Sequence, residues 1–75
     1  MINTSKVKGR IVEKGKTIQA IAPKIPCSPY ILVRKIANES PMSLEEAIIL
    51  SEELDISKEE FAEFFLQQKL QNTTK

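Results

Sequence analysis

The side chains in this sequence best equipped for chemistry are cations, and what they offer is the binding of anions. Lys14, Lys16, Lys24 and Lys35 fall within one short stretch together with Arg34. An ammonium is a point charge suited to a phosphate oxygen. A guanidinium is a planar fork that pairs bidentately with a carboxylate, a phosphate or the edge of guanine. Thr17 and Ser28 add hydroxyls nearby, and Tyr30 adds an aromatic ring with a polar tip. Groups for making and breaking bonds are scarce. Histidine is absent, which removes the commonest general base and metal ligand. Cys27 is the lone cysteine and reads as a small buried hydrophobe. Gly9 and Gly15, the only glycines, do not fit a phosphate-cradling loop. The prediction is a binding protein and not an enzyme, with no catalytic residue, metal or cofactor.

The charge is unevenly spread. Residues 1–36 hold eight cationic side chains against the lone Glu13, a net of +7, whereas residues 37–75 hold three against nine acids, a net of −6. A basic half beside an acidic half predicts an anionic partner approaching one side, or two oppositely charged solvated surfaces.

The elements that position these residues are helices. A chain of 75 residues buries only about 60% of its unfolded surface, so one core is the ceiling. The reading is one domain over residues 1–70 and a polar, frayed tail over 71–75. Thr4 or Ser5 caps a first helix with Val7 and Ile11 on its inner stripe, and Gly15 ends it in the left-handed conformation. Gly9 inside this helix predicts close packing against a neighbour. Thr17 caps a second, very short helix containing Ile18, Ala20, Ile21 and Ala22, which Pro23 shortens. Ser28-Pro29 opens a third helix to about Ala37, with Leu32 and Ile36 facing inward. Ser43-Leu44-Glu45-Glu46 and Ser57-Lys58-Glu59-Glu60 are capping boxes. They open a fourth helix, carrying Ala47, Ile48, Leu50 and Leu54, and a fifth, carrying Phe61, Phe64, Phe65 and Leu66. No apolar run approaches the ~20 residues of a membrane span. A cytoplasmic protein without a membrane partner is expected.

A short second helix, a tight turn and a third helix match the helix-turn-helix plan. Residues Ser5 to Thr17, then Ile21-Ala22, Ile25, Cys27, Ser28, Leu32, Arg34 and Ile36, resemble the phage Cro/repressor-type, or xenobiotic-response-element, family. The resemblance implies an all-α, compact five-helix, lambda-repressor-like helix-turn-helix domain. It implies a transcriptional regulator of a phage or prophage lysogeny switch that binds double-stranded operator DNA. In that family the third helix lies in the major groove. Carried over, the groove-facing residues are Ser28, Pro29, Tyr30, Val33 and Arg34, with Arg34 the base reader. Thr17 and Ile18 lie near a phosphate, and Lys14, Lys16, Lys24 and Lys35 contact phosphates. A homodimer through the last helix is a further implication.

The run Pro29-Tyr30-Ile31-Leu32-Val33 is more apolar than the family's usual third helix, and a helix cannot bury every residue of such a run. That opens an alternative. The chain is then an antirepressor whose third-helix face, including Tyr30, Ile31 and Val33, binds a co-encoded phage repressor protein and alters its DNA binding.

Overall fold

Ser43 and Ser57 each open a helix in the manner their spacing predicts. Ser43 Oγ accepts from the Glu46 amide at 3.1 Å while the Glu46 carboxylate accepts from the Ser43 amide at 2.9 Å. Ser57 and Glu60 repeat the exchange at 3.1 and 3.2 Å. These are reciprocal capping boxes, satisfying backbone donors that a helix start otherwise leaves orphaned. The computed structural model describes residues 2–66, so the predicted tail over 71–75 lies outside the described residues. Among the described residues there are five α-helices: α1 Thr4–Glu13, α2 Ile18–Ile21, α3 Pro29–Ile36, α4 Leu44–Glu53 and α5 Lys58–Phe65. A 3₁₀ turn, Ala22–Lys24, continues α2. The described residues contain no strand. The all-α, five-helix reading therefore holds, and no described helix is long and apolar enough to cross a membrane.

Packing follows the predicted stripes except at Ile48 of α4, which is exposed and lies outside the core. Val7 and Ile11 of α1, Ile21 of α2, Leu32 and Ile36 of α3, Ala47 and Leu50 of α4, and Phe64 and Phe65 of α5 meet in one core. Ala22, Ile25 and Leu54 close it from the connections, and Ile2 joins from ahead of α1. Cys27 sits at the edge of this core, half-buried, and burial pushes its thiol pKa up. A raised thiol pKa leaves little thiolate, in keeping with a packing role. Pro23 does not end the second helix outright. The chain tightens into the 3₁₀ turn, and the Ile25 and Cys27 amides both donate to the Ala22 carbonyl at 3.1 and 2.9 Å.

Four expectations need correction. The cap of α1 is Asn3, whose side chain accepts from the Lys6 amide, and neither Thr4 nor Ser5 takes that place. Thr4 is engaged elsewhere: its hydroxyl donates to the Ile36 carbonyl at 2.7 Å, tying α1 to the end of α3. Gly9 packs against nothing, since a Cβ built there meets no atom within 4 Å. Gly15 does adopt the left-handed conformation, with φ +67°. Ala20 faces solvent, so the inner side of α2 is narrower than its composition implies. Finally, the two oppositely charged halves of the sequence do not form separate surfaces. They lie against each other, and every ion pair among the described residues except Arg10–Glu13 joins one half to the other.

Candidate functional site

The predicted recognition residues converge on the outer side of α2 and α3, two elements packed on each other. Thr17 caps α2 with its Oγ1 accepting from the Ala20 amide at 3.1 Å, and it remains exposed. Ser28 caps α3 in the same way, accepting from the Ile31 amide at 3.1 Å, and Pro29 occupies the first turn. Proline is favoured there because the missing N–H has no intrahelical partner to lose. Leu32 and Ile36 turn into the core and anchor α3. Helical geometry then sends the intervening side chains outward: Tyr30 is 68% exposed, Val33 47% and Ile31 36%. Ile18 is half-buried and packs against the core edge.

Arg34 lies on the same face as Tyr30, one turn further along α3. Its Nη1 donates to the Tyr30 hydroxyl at 3.3 Å, and its guanidinium carbon sits 5.8 Å from the Tyr30 ring centroid. Its Nε donates to Ser40 Oγ at 3.4 Å. No carboxylate pairs with it among the described residues. A guanidinium has five N–H donors, so the Nη edge keeps free donors after these two bonds. The loop that supplies Ser40 is itself fixed. Asn38 adopts φ 65°, and its side-chain amide bonds the Ile2 backbone at 2.9 Å through both its oxygen and its nitrogen. The Glu39 and Ser40 amides both donate to the Arg34 carbonyl, at 2.8 and 3.2 Å. Main chain and side chain of Arg34 are thus held by the same loop.

The four lysines chosen for phosphate contact all lie in ion pairs. Lys14 pairs with Asp55 at 3.1 Å, and Lys16 and Lys24 share Glu53 at 3.7 and 3.6 Å. Lys35 pairs with Glu46 at 2.6 Å, with both side chains largely covered. The Lys35 hydrogen bond is the main reason that the Glu46 carboxyl pKa is lowered, with the Ser43 backbone amide next. Lys35 is accordingly a strut between α3 and α4. The other three lysines are more exposed than Lys35, and ion pairs of exposed side chains contribute little.

Two features were not singled out from the sequence. Ser40 and Asn38 come together with α3 only through the tertiary fold, although Asn is among the few residues at ease with φ > 0. Lys8 and Val12 of α1 join Ile11, Ile18, Val33 and Ile36 around an apolar groove of about 250 Å³. Val12 is 78% exposed, more than any other large hydrophobic residue described. Lys8 has no acidic partner among the described residues, which leaves a free cation at the groove's rim.

Chemically, this face can donate hydrogen bonds to an anion or a base edge through Arg34 and can bury apolar surface through Tyr30, Ile31 and Val33. Comparison with known proteins adds nothing to that geometry: no family model matches the chain, and no match is found among curated proteins or solved structures.

Proposed function

We propose that this chain is a Cro/repressor-type transcriptional regulator of a phage or prophage switch, binding double-stranded operator DNA in the cytoplasm. One observation carries the reading. The exposed face of α3 presents Arg34 with a free guanidinium edge, oriented by Tyr30 and Ser40 and opposed by no carboxylate among the described residues. In the major groove that edge pairs with the O6 and N7 of a guanine. Ser28, Pro29 and Tyr30, at the start of α3, approach neighbouring base edges. An apolar side chain such as Val33 suits a thymine methyl. Thr17, Ile18, Lys14, Lys16 and Lys24 face the phosphates beside α2, where contacts fix register without reading sequence. Lys35 contributes less, because Glu46 already holds it.

The test is a titration of the purified protein against its own promoter DNA across a range of salt. Arg34→Ala is expected to lose about 1–3 kcal/mol of discrimination at one base pair. Lys16→Ala weakens all sequences alike and flattens the salt slope by about 1. A wild-type protein giving no salt-sensitive complex with any promoter fragment overturns the reading.

A second reading is favoured by the exposed apolar side chains on α3 and beside it on α1. Tyr30, Ile31, Val33 and Val12 offer more apolar surface than base recognition uses, and such patches mark protein partners. In that reading the chain is an antirepressor that covers a co-encoded phage repressor. Tyr30→Asp or Ile31→Asp then abolishes co-elution with that repressor, and undiminished co-elution refutes it. A homodimer through the last helix is compatible with either reading, as Phe61 is half-buried and Leu66 is exposed.

A further inference from the structure

We infer that Glu53 is an internal stand-in for a DNA phosphate, holding Lys16 and Lys24 until a nucleic-acid backbone displaces it. One oxygen of its carboxylate lies 3.7 Å from Lys16 Nζ and the other 3.6 Å from Lys24 Nζ. The two lysines flank a single short element. Lys16 precedes the Thr17 cap of α2, and Lys24 ends the 3₁₀ turn that continues α2. In a helix-turn-helix that element crosses the phosphate backbone, so two ammonium groups at its ends meet phosphates. Glu53, the last residue of α4, reaches both from the acidic half of the chain.

The geometry marks this arrangement as exchangeable. Tight charge-assisted hydrogen bonds run at about 2.7–2.9 Å, and both Glu53 contacts are far longer. The Lys16 and Lys24 side chains keep 37% and 59% of their surface exposed. Lys35–Glu46, by contrast, is short at 2.6 Å and its lysine side chain is only 15% exposed, while the two carboxylate side chains, Glu46 and Glu53, are equally covered at 23%. One negative charge is shared by two cations at Glu53, and a phosphate offers each cation a closer partner. The inference rests on the DNA-binding reading and adds a regulator to it: the acidic end of α4 lowers affinity and flattens its salt dependence. When phosphates take the lysines, the displaced carboxylate recovers a cation from solution. That uptake cancels roughly one of the counterions released from the DNA.

The experiment measures binding of promoter duplex and of an unrelated duplex against salt. Glu53→Gln is expected to raise affinity for both duplexes by roughly threefold to tenfold and to steepen the salt slope by about one unit. Glu52→Gln is the control. It makes the same change in net charge at an exposed neighbour that has no ion pair among the described residues, and it is expected to give under a third of the gain. Glu53→Asp keeps the charge but withdraws the carboxylate by one methylene, and is expected to raise affinity part of the way. In a Lys16→Gln/Lys24→Gln background the Glu53→Gln gain disappears, because the effect runs through those two side chains. Equal gains from Glu52→Gln and Glu53→Gln overturn the inference, as does a gain that survives loss of both lysines or an Asp variant equal to wild type. Those results leave operator binding standing. Failure of every variant and of the wild type to bind DNA removes both together.

Discussion

The α4–α5 half of this domain and its α2–α3 half are held in shape by different means. Both helices of the first half open on reciprocal capping boxes. Arg10 then reaches across from α1 to their junction, donating to the Leu54 and Asp55 carbonyls at 3.1 Å and pairing with Glu60 at 3.1 Å. Local pattern, caps and packing all agree there. The α2–α3 half has a one-turn helix, a 3₁₀ turn and a proline-rich connection, each with few local bonds of its own. It is secured by Ile21, Leu32 and Ile36 in the core, and Tyr30, Ile31 and Val33 are left outside. Apolar surface is left over in both halves, for Leu44, Ile48 and Leu66 stay exposed along α4 and α5 as Tyr30, Ile31 and Val33 do on α3. Where apolar surface exceeds what the core absorbs, binding is the physical use for the excess.

The strongest way to break this contrast is to truncate each side of α3 in turn. Leu32 has no exposed surface, and Leu32→Ala is expected to cost about 2–5 kcal/mol by chemical denaturation. That is a large share of the ~5–15 kcal/mol typical of a whole domain. Tyr30→Ala, two residues away, is expected to stay within about 0.5 kcal/mol of wild type. If Tyr30→Ala were as damaging as Leu32→Ala, the outer face would be serving the fold, and no recognition function could be argued from its exposure.

A smaller effect sharpens the other side of the comparison. Ser57→Ala removes one arm of a capping box far from α3 and is expected to cost about 1 kcal/mol. DNA or partner affinity, measured well below the melting temperature, should be unchanged. A Ser57 variant that binds more weakly while still folded would place part of the recognition surface on α5.

The sequence made the helix starts legible wherever the signal was local. Thr17, Ser28, Ser43 and Ser57 all cap the helices their spacing assigns to them. The inward stripe of α3 was legible too, because Leu32 and Ile36 stand one helical turn apart. Features decided by partners distant in the chain were not. Asn3 caps α1 while the Thr4 hydroxyl bonds Ile36, 32 residues away, and no local rule ranks those two uses of a threonine. The charge asymmetry was plain, but composition carries no record of which cation meets which carboxylate. The lysines that suggested a phosphate-binding surface turned out to be engaged by the acidic half. The hold on Arg34 was hidden for the same reason: Ser40 reaches it only because Asn38 turns the loop back through a left-handed residue.

The smallest predicted effect concerns Gly9, where sequence and structure disagree most directly. A glycine inside a helix costs about 1 kcal/mol relative to alanine, and the sequence reading justified that cost by close packing. Within this chain there is none: Gly9 is exposed, its φ is not positive, and an added Cβ meets open space. Gly9→Ala is therefore expected to stabilise the isolated protein by about 0.5–1 kcal/mol, a rise in Tm of roughly 2–8 °C for a domain of this size. Calorimetry on the variant decides it. A lower Tm would mean that α1 is packed on something within the folded protein, and the open surface described around Lys8 and Val12 would have to be redrawn. A higher Tm joined to weaker binding of DNA or repressor would have a different meaning. The missing side chain would then be making room for a partner, and α1 would belong to the recognition face along with α3.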